Sequence, residues 1–139
     1  MFALKKKRFN YKCITMEFRD NKAIYLQIAE YVCEHILLEK WKTDEKVPSV
    51  RELAVELEVN PNTVMRTYDL LQSRNIITNK RGVGFFVAEQ ALENVKSYRK
   101  TQFMDDELPV VFRNVYLLNI GFDELEARYN TFVKETFNP

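Results

Sequence analysis

Apolar side chains recur at helical spacing in two neighbouring stretches near the middle of the chain. Spacings of three, four and seven residues place side chains on one face of a helix. The positions are Leu53, Ala54 and Leu57 in the first stretch, and Val64, Tyr68 and Leu71 in the second. The pattern predicts two short helices, each of which buries one face.

Both predicted helices have start signals. Ser49 and Glu52 have the spacing of a capping box, in which each side chain satisfies a backbone N–H group, so the first helix should begin at about Ser49. Asn60 is a favoured N-cap residue, and Pro61 fits the first helical position because its missing N–H is not needed there. Only two residues remain for the turn, which is typical of a helix-turn-helix unit.

The second helix has a polar face opposite its apolar one. At about 100° per residue, Asn62, Arg66 and Asp69 share this face, and Thr63 flanks it. In helix-turn-helix units the second helix enters the major groove of DNA with its N-terminal residues nearest the base edges. Asn62, Thr63 and Arg66 are therefore candidates for contact with bases or phosphates. The alternative is an ordinary solvated helix face.

A β-hairpin is predicted directly after the helix pair. Residues 76–78 and 85–87 are β-prone runs, and a basic segment containing glycine joins them. Lys80 and Arg81 supply positive charge for phosphates or the minor groove, and Gly82 permits positive φ. In this position the hairpin indicates the wing of a winged helix-turn-helix. Alone, it could be a surface hairpin with two chance cations.

A third helix is predicted upstream, at residues 23–40. Its apolar positions fall on one side and would complete a three-helix core. They are Ile24, Ile28, Tyr31, Val32 and Ile36. Trp41 follows the helix and is expected to fill the core beneath the helix pair.

The stretch from residue 47 to residue 87 resembles the DNA-binding domain of the GntR family of bacterial transcription regulators. The shared motifs are Pro-Ser-x-Arg-x-Leu-Ala at residues 48–54, Val-x-x-x-Thr-Val at residues 59–64 and Gly-x-Gly-x-Phe-Val at residues 82–87. The resemblance implies a winged-helix fold and sequence-specific binding to double-stranded DNA. By position, it assigns DNA contacts to Arg51, Asn62, Thr63, Arg81 and Gly82.

The chain departs from some family members at two positions. Pro61 and Met65 stand where those members have arginine, so these two contacts are not carried over. The Asn-Pro-Asn-Thr-Val-Met-Arg form is similar to the YtrA-type branch, which implies that Arg66 takes part of that role. We add Ser49 and Asn60, at the starts of the two helices, to the candidate DNA surface.

Residues 89–139 are predicted to form a helical tail. Its three helices are expected at residues 91–104, 108–120 and 123–137. Pro109 should begin the second helix, Gly121 should end it, and Asp123 should cap the third. The last two helices have apolar faces made by Leu108, Val111, Phe112, Val115, Leu118, Leu125, Tyr129 and Phe132.

Helices this short cannot enclose an apolar core alone. The simplest solution is burial of both faces against a second copy of the chain. The YtrA-type branch is similar in having a short helical tail, which supports a homodimer. The alternative is that the tail packs back on the winged domain of its own chain.

The net charge of +1 conceals a basic N-terminus. Residues 1–20 carry six basic side chains against two acidic ones. The leader at residues 1–19 is therefore either a DNA-contacting arm or a solvated extension. Met16 is an alternative to Met1 as the true start.

The sequence carries no pattern typical of an enzyme. Cys13, Cys33 and His35 lack the spacing of a metal site, a disulfide scaffold or a catalytic triad, so neither catalysis nor a cofactor is expected. The sequence has no signal peptide and no apolar run long enough to span a bilayer. A cytoplasmic protein with no membrane partner is therefore expected.

These patterns together predict a mainly α fold with a small β-hairpin wing. A winged helix-turn-helix domain at residues 20–88 would be followed by a helical dimerisation appendage at residues 89–139. The expected function is that of a transcription regulator that binds a pseudo-palindromic operator as a homodimer and represses by occluding a promoter. Two alternatives remain: a protein-interaction module that does not bind DNA, and a ligand-responsive switch with a small pocket in the tail. No effector is indicated.

Overall fold

The structure is a computed structural model that describes residues 16, 18, 19 and 21–138. The chain divides into two compact units, of which the first is Met16–Asp106 and the second includes residues 107–138. Residues 1–15 of the predicted basic leader lie outside the described residues, so the proposed arm is not described.

The described part of the chain is mainly helical. In the first unit the elements are α1, Ile24–Leu37; α2, Val50–Leu57; α3, Pro61–Ser73; β1, Ile77–Lys80; β2, Gly84–Val87; and α4, Ala91–Gln102. A π-helical turn at Phe103–Glu107 precedes α5, Leu108–Leu117, and α6, Phe122–Thr136. This architecture confirms the predicted mainly α fold with a hairpin wing.

The helix-turn-helix forms where its start signals predict it. Ser49 Oγ accepts a hydrogen bond from the Glu52 N–H group at 3.1 Å, and Asn60 Oδ1 accepts one from the Asn62 N–H group at 2.8 Å. Pro61 takes the first position of α3. Glu58 adopts a left-handed conformation with φ of 55°, which ends α2 and reverses the chain tightly.

The core of the first unit lies between α1, α2, α3 and the hairpin. Its largest fully buried side chains include Ile28, Leu53, Val64, Tyr68, Leu71, Ile76, Ile77, Val87 and Val95. The Tyr68 hydroxyl donates to the carbonyl oxygen of Pro48 at 2.6 Å, which ties α3 to the start of α2. Burial raises the pKa of Tyr68, which keeps this phenol protonated, and therefore a donor, to a higher pH than usual.

The hairpin is part of a slightly larger sheet-like arrangement. β1 and β2 pair antiparallel, with Ile77 opposite Val87 and Lys80 opposite Gly84. On the other side of β2, Lys46 forms an isolated bridge with Phe86. Val47 N–H also donates to the Phe85 carbonyl oxygen at 2.9 Å. The sequence pattern did not predict this third segment.

Helix α4 packs in the first unit, whereas the sequence pattern assigned residues 89–139 to the tail. Ala91 and Val95 are fully buried, and Arg99 forms an ion pair with Glu30 of α1 at 3.2 Å. These contacts attach α4 to the first unit, which continues to Asp106.

Contrary to the prediction from sequence, Trp41 does not fill the core beneath the helix pair. It is half-buried, and its ring packs against His35 and Tyr31 of α1, with centroids 4.7 and 6.5 Å away. Helix α1 also stops at Leu37 rather than near residue 40, because Glu39 takes a left-handed conformation with φ of 55°. This turn carries Trp41 back along α1 instead of under α2 and α3.

Two details of the tail also differ from prediction. Asn119, with φ of 51°, ends α5 in place of Gly121. Gly121 instead holds the N-cap position of α6, and Asp123 lies within the first turn of that helix. Asn can adopt the left-handed conformation more readily than most residues, which explains how it replaces glycine here. Pro109 is the second residue of α5, so it lies in the first turn of that helix.

No helix among the described residues combines the length and the apolar character needed to cross a membrane.

Candidate nucleic-acid interface

Helix α3 presents the polar face that its sequence predicts. Val64, Thr67, Tyr68 and Leu71 are buried, whereas Asn62, Arg66 and Asp69 are exposed and Thr63 is half-buried. The exposed residues near the N-terminus carry both donors and acceptors, which suits recognition of base edges or phosphates. Asp69 follows one helical turn later, and its negative charge makes it an unsuitable phosphate contact.

Arg66 is held in a defined place by an aromatic ring. Its guanidinium carbon lies 3.8 Å from the centroid of the Tyr25 ring, at the start of α1. Thr67, its neighbour, is fully buried, and its hydroxyl is within hydrogen-bonding distance of the carbonyl oxygens of Tyr25, at 2.8 Å, and Thr63, at 3.2 Å.

The start of α2 contributes a second positive group. Arg51 is exposed in the first turn of this helix, one residue beyond Val50. Ser49 is half-buried and is the N-cap of α2, and Asn60 is the N-cap of α3. Both capping side chains are thus occupied by backbone N–H groups, so they fix the helix ends directly and could accept only one further donor each.

The wing places its basic residues at an exposed tip. Lys80, Arg81 and Gly82 are all exposed. Gly82 has φ of 77°, a conformation that a side chain would make costly, and nothing lies within 4 Å of where a Cβ would stand. Lys80 Nζ sits 4.1 Å from the centroid of the Phe86 ring, which orients its charge along the hairpin.

Lys46 is a candidate that the sequence reasoning missed. It is exposed, and its side chain crosses β2 so closely that a Cβ on Gly84 would stand 2.9 Å from Lys46 Cε. The third segment beside β2 therefore adds a cation next to the wing. The alternation of polar and apolar residues at positions 44–47 covers too few residues to predict a strand there, so the sequence did not indicate the pairing with β2.

The predicted tail residues are mostly exposed. Val111, Phe112, Leu118, Tyr129 and Phe132 are exposed, Leu118 with 69% and Tyr129 with 65% of their surface accessible. Leu108 and Leu125 are half-buried. Val115 is the exception: it is buried, although the sequence predicted it on the apolar face of the dimerisation tail.

Further apolar side chains of the tail are exposed beyond those that the sequence singled out. They are Val110, Tyr116, Leu117, Phe122 and Phe137. Phe112 and Phe122 meet edge to face across α5 and α6, with ring centroids 6.4 Å apart. Isolated exposed apolar residues are common, but this many on two short helices is typical of an interaction surface.

A groove of about 460 Å³ lies in the first unit rather than in the tail, where a ligand-responsive switch was considered. It is lined by Leu26, Leu70, Arg74, Asn94, Ser97, Tyr98, Thr101 and Gln102. Several of its polar groups are already hydrogen-bonded within the protein: Gln102 Nε2 donates to the Tyr98 hydroxyl at 2.9 Å, and Asn94 Nδ2 donates to the Asn75 carbonyl oxygen at 2.9 Å. This pattern does not identify a ligand.

Comparison with known proteins gives consistent matches. Residues 24–87 match the sequence family of bacterial regulatory proteins known as the gntR family. The HTH-type transcriptional regulator YhcF of Bacillus subtilis is 41% identical over 75 residues, which are 54% of this chain and 62% of YhcF. The HTH-type transcriptional repressor YtrA of Bacillus subtilis is 40% identical over 78 residues, which are 56% of this chain and 60% of YtrA.

These alignments with YhcF and YtrA span 62% and 60% of the curated relatives' lengths, less than two thirds in each case.

A solved structure of a GntR-family transcriptional regulator from Bacteroides thetaiotaomicron gives a longer match. Its sequence is 48% identical, the TM-score is 0.64, and the match covers 81% of this chain and 97% of that one.

Proposed function

The chain belongs to the GntR family of bacterial regulatory proteins, and from this premise we propose that it is a transcription regulator that binds double-stranded DNA as a homodimer. Its winged helix-turn-helix would read a pseudo-palindromic operator, and the helical tail would join two copies. Repression is the expected outcome, because a dimer bound across a promoter excludes polymerase, and the relative YtrA is a repressor by name. We place this activity in the cytoplasm.

The observation that carries the proposal is the division of α3 into two faces. One face is buried in the core through Val64, Tyr68 and Leu71, while Asn62 and Arg66 are exposed on the other. A helix with this division, followed by a basic hairpin tip, suits insertion into a major groove with the wing on the adjacent backbone.

Affinity must come from these local cations, since the net charge of the chain is only +1. Arg51 and Arg66 lie on the two helices, Lys80 and Arg81 lie on the wing, and Lys46 lies beside it. Each phosphate contact by such a group releases condensed counterions, so binding should be strongly salt-dependent. A protein-interaction module that never binds DNA would lack this dependence.

The homodimer is supported by the exposed apolar faces of α5 and α6. Two short helices cannot bury side chains such as Phe112, Leu118 and Tyr129 within one chain, whereas a second copy can cover them by two-fold symmetry. Two-fold symmetry would place two recognition helices about 34–36 Å apart, in successive major grooves of the operator. This spacing explains why the operator should be pseudo-palindromic.

The wing gives a direct test of DNA binding. Lys80→Ala with Arg81→Ala should weaken binding to operator and to random-sequence duplex together, because lost phosphate contacts carry no sequence information. The slope of log affinity against log salt concentration should become shallower by about 2. Fluorescence anisotropy titrations at several salt concentrations measure both quantities.

Lys96→Ala with Lys100→Ala is the matched control for the wing variant. Both lysines are exposed on α4, outside the proposed surface, and their loss changes the net charge by the same amount. The control should keep the wild-type slope. Equal slopes for the wing variant and the wild type would contradict a phosphate-binding wing, and loss of operator binding alone would make the wing a reader of bases.

A further inference from the structure

Tyr25 at the start of α1 contacts Arg66 on the exposed face of α3. The guanidinium carbon of Arg66 lies 3.8 Å from the centroid of the Tyr25 ring, close enough for direct stacking. Tyr25 is half-buried, and Arg66 is exposed. One face of the guanidinium is therefore covered by the ring, while the rest of the group meets solvent.

The backbone of Tyr25 is fixed independently of Arg66. The fully buried Thr67 hydroxyl lies 2.8 Å from the carbonyl oxygen of Tyr25, so the first turn of α1 is tied to α3 beside the stack. This hydrogen bond uses the backbone of Tyr25 and survives replacement of its side chain. The position of residue 25 against the recognition helix is thus set by the core.

Stacking holds a guanidinium without consuming its hydrogen-bond donors. The five N–H groups of arginine lie in the plane of the group and point outward from its edge. A ring below the plane therefore leaves this edge free for two parallel hydrogen bonds to a guanine or a phosphate. Among the described carboxylates, none forms an ion pair with Arg66.

The stack also lowers the cost of binding. A free arginine side chain samples many rotamers, and ordering it against DNA reduces affinity. A side chain already restricted by a cation–π contact loses less freedom when it binds. Tyr25 needs no contact with DNA to have this effect.

We propose that Tyr25 is a positioning residue for DNA recognition: its ring holds the Arg66 guanidinium with its donor edge directed to the DNA. This inference rests on the proposed DNA-binding role of α3. Tyr25, which lies outside the helix-turn-helix motif, would thus contribute to operator affinity. This contribution should require the Arg66 side chain.

The test is a double-mutant cycle on a genomic fragment that the wild-type protein selects. Tyr25→Leu should weaken binding about 2- to 5-fold, as expected for loss of one exposed cation–π contact. Tyr25→Phe retains the ring and should stay within about 2-fold of the wild type. In the Arg66→Ala background, Tyr25→Leu should cause no further loss, because the group it positions is gone.

Tyr98→Leu provides the matched control, since Tyr98 lies under Arg74 at 5.3 Å on a different part of the first unit. It should bind like the wild type. Tyr25→Met is a second variant without a ring. It replaces Tyr25→Leu in the test if denaturant unfolding shows that Tyr25→Leu folds poorly. Both ringless variants should depend on Arg66 in the same way.

The outcomes separate this inference from the function on which it rests. Unchanged or tighter binding by the ringless variants would overturn the positioning role, and so would an equal loss in the presence and absence of Arg66. Wild-type affinity of Arg66→Ala itself would instead overturn the DNA-binding role assigned to this face of α3.

Discussion

The variant that carries both Phe112→Asp and Leu118→Asp is expected to sediment as a monomer and to lose about 100- to 10,000-fold in affinity for the full operator. Both side chains are exposed on the tail, and burial of a carboxylate at a subunit interface without a partner would be costly. Binding of two linked half-sites gains affinity through effective concentration, so loss of the dimer removes that gain. Weak half-site binding should remain.

The control for the tail variant is Asn114→Asp with Asn130→Asp. Both asparagines are exposed on α5 and α6, and the pair adds the same two negative charges at positions that are already polar and are not among those predicted for the apolar faces. This control should remain a dimer and bind the operator. Circular dichroism should show that both variants keep their helices. If the Phe112 and Leu118 variant stayed dimeric in analytical ultracentrifugation, the tail would not be the dimerisation surface.

Arg51→Ala and Arg66→Ala are each expected to weaken operator binding by about 1–3 kcal/mol, or about 5- to 150-fold. Arginine can form two parallel hydrogen bonds with a guanine, and the base loses both when the side chain is removed. Both arginines are exposed, so the free energy of unfolding should change little. Anisotropy titrations and denaturant unfolding measure the two quantities on the same samples.

Lys96→Ala is the control for the arginine variants, because it removes one exposed positive charge from α4. Its affinity should stay close to that of the wild type. If both arginine variants bound the operator as tightly as this control, the exposed face of α3 and the start of α2 would not be the DNA-binding surface. A loss for random duplex as large as that for operator would instead assign the arginines to phosphates.

The helix-turn-helix could be predicted closely because its signals are local. Ser49 and Asn60 cap their helices through bonds that span only two or three residues, and Pro61 restricts its own φ. The buried face of α3 follows from side-chain spacing alone. Local rules of this kind need no knowledge of the remaining fold.

Local left-handed turns at Glu39 and Asn119 account for the differences at the ends of α1 and α5, whereas the other features that the sequence pattern missed depend on contacts distant in sequence. Lys46 reaches the wing through pairing of its strand-like segment with β2, some forty residues later. Arg99 joins α4 to Glu30, across 69 residues, which moves that helix out of the tail. The Tyr25 and Arg66 stack is likewise invisible to periodicity. Neither spacing nor composition reports which distant elements meet.

The tail shows a different limit of prediction. Its apolar spacing correctly indicated helices, but not which apolar residues a single chain buries for itself. Val115 of α5 is buried, whereas Leu118, the C-cap residue of the same helix, is exposed. The spacing of apolar residues is the same for an internal core and for a surface that awaits a partner. Analytical ultracentrifugation of the tail variant distinguishes these two cases.

Selection of bound fragments from genomic DNA by the wild-type protein tests the central proposal most directly. We expect enrichment of fragments with two half-sites related by a two-fold axis, about 10–10.5 base pairs apart between centres or a multiple of that. Two chains should bind each fragment, and the affinity should fall steeply with salt. Failure to enrich any fragment over random DNA, even at low salt, would contradict the proposal.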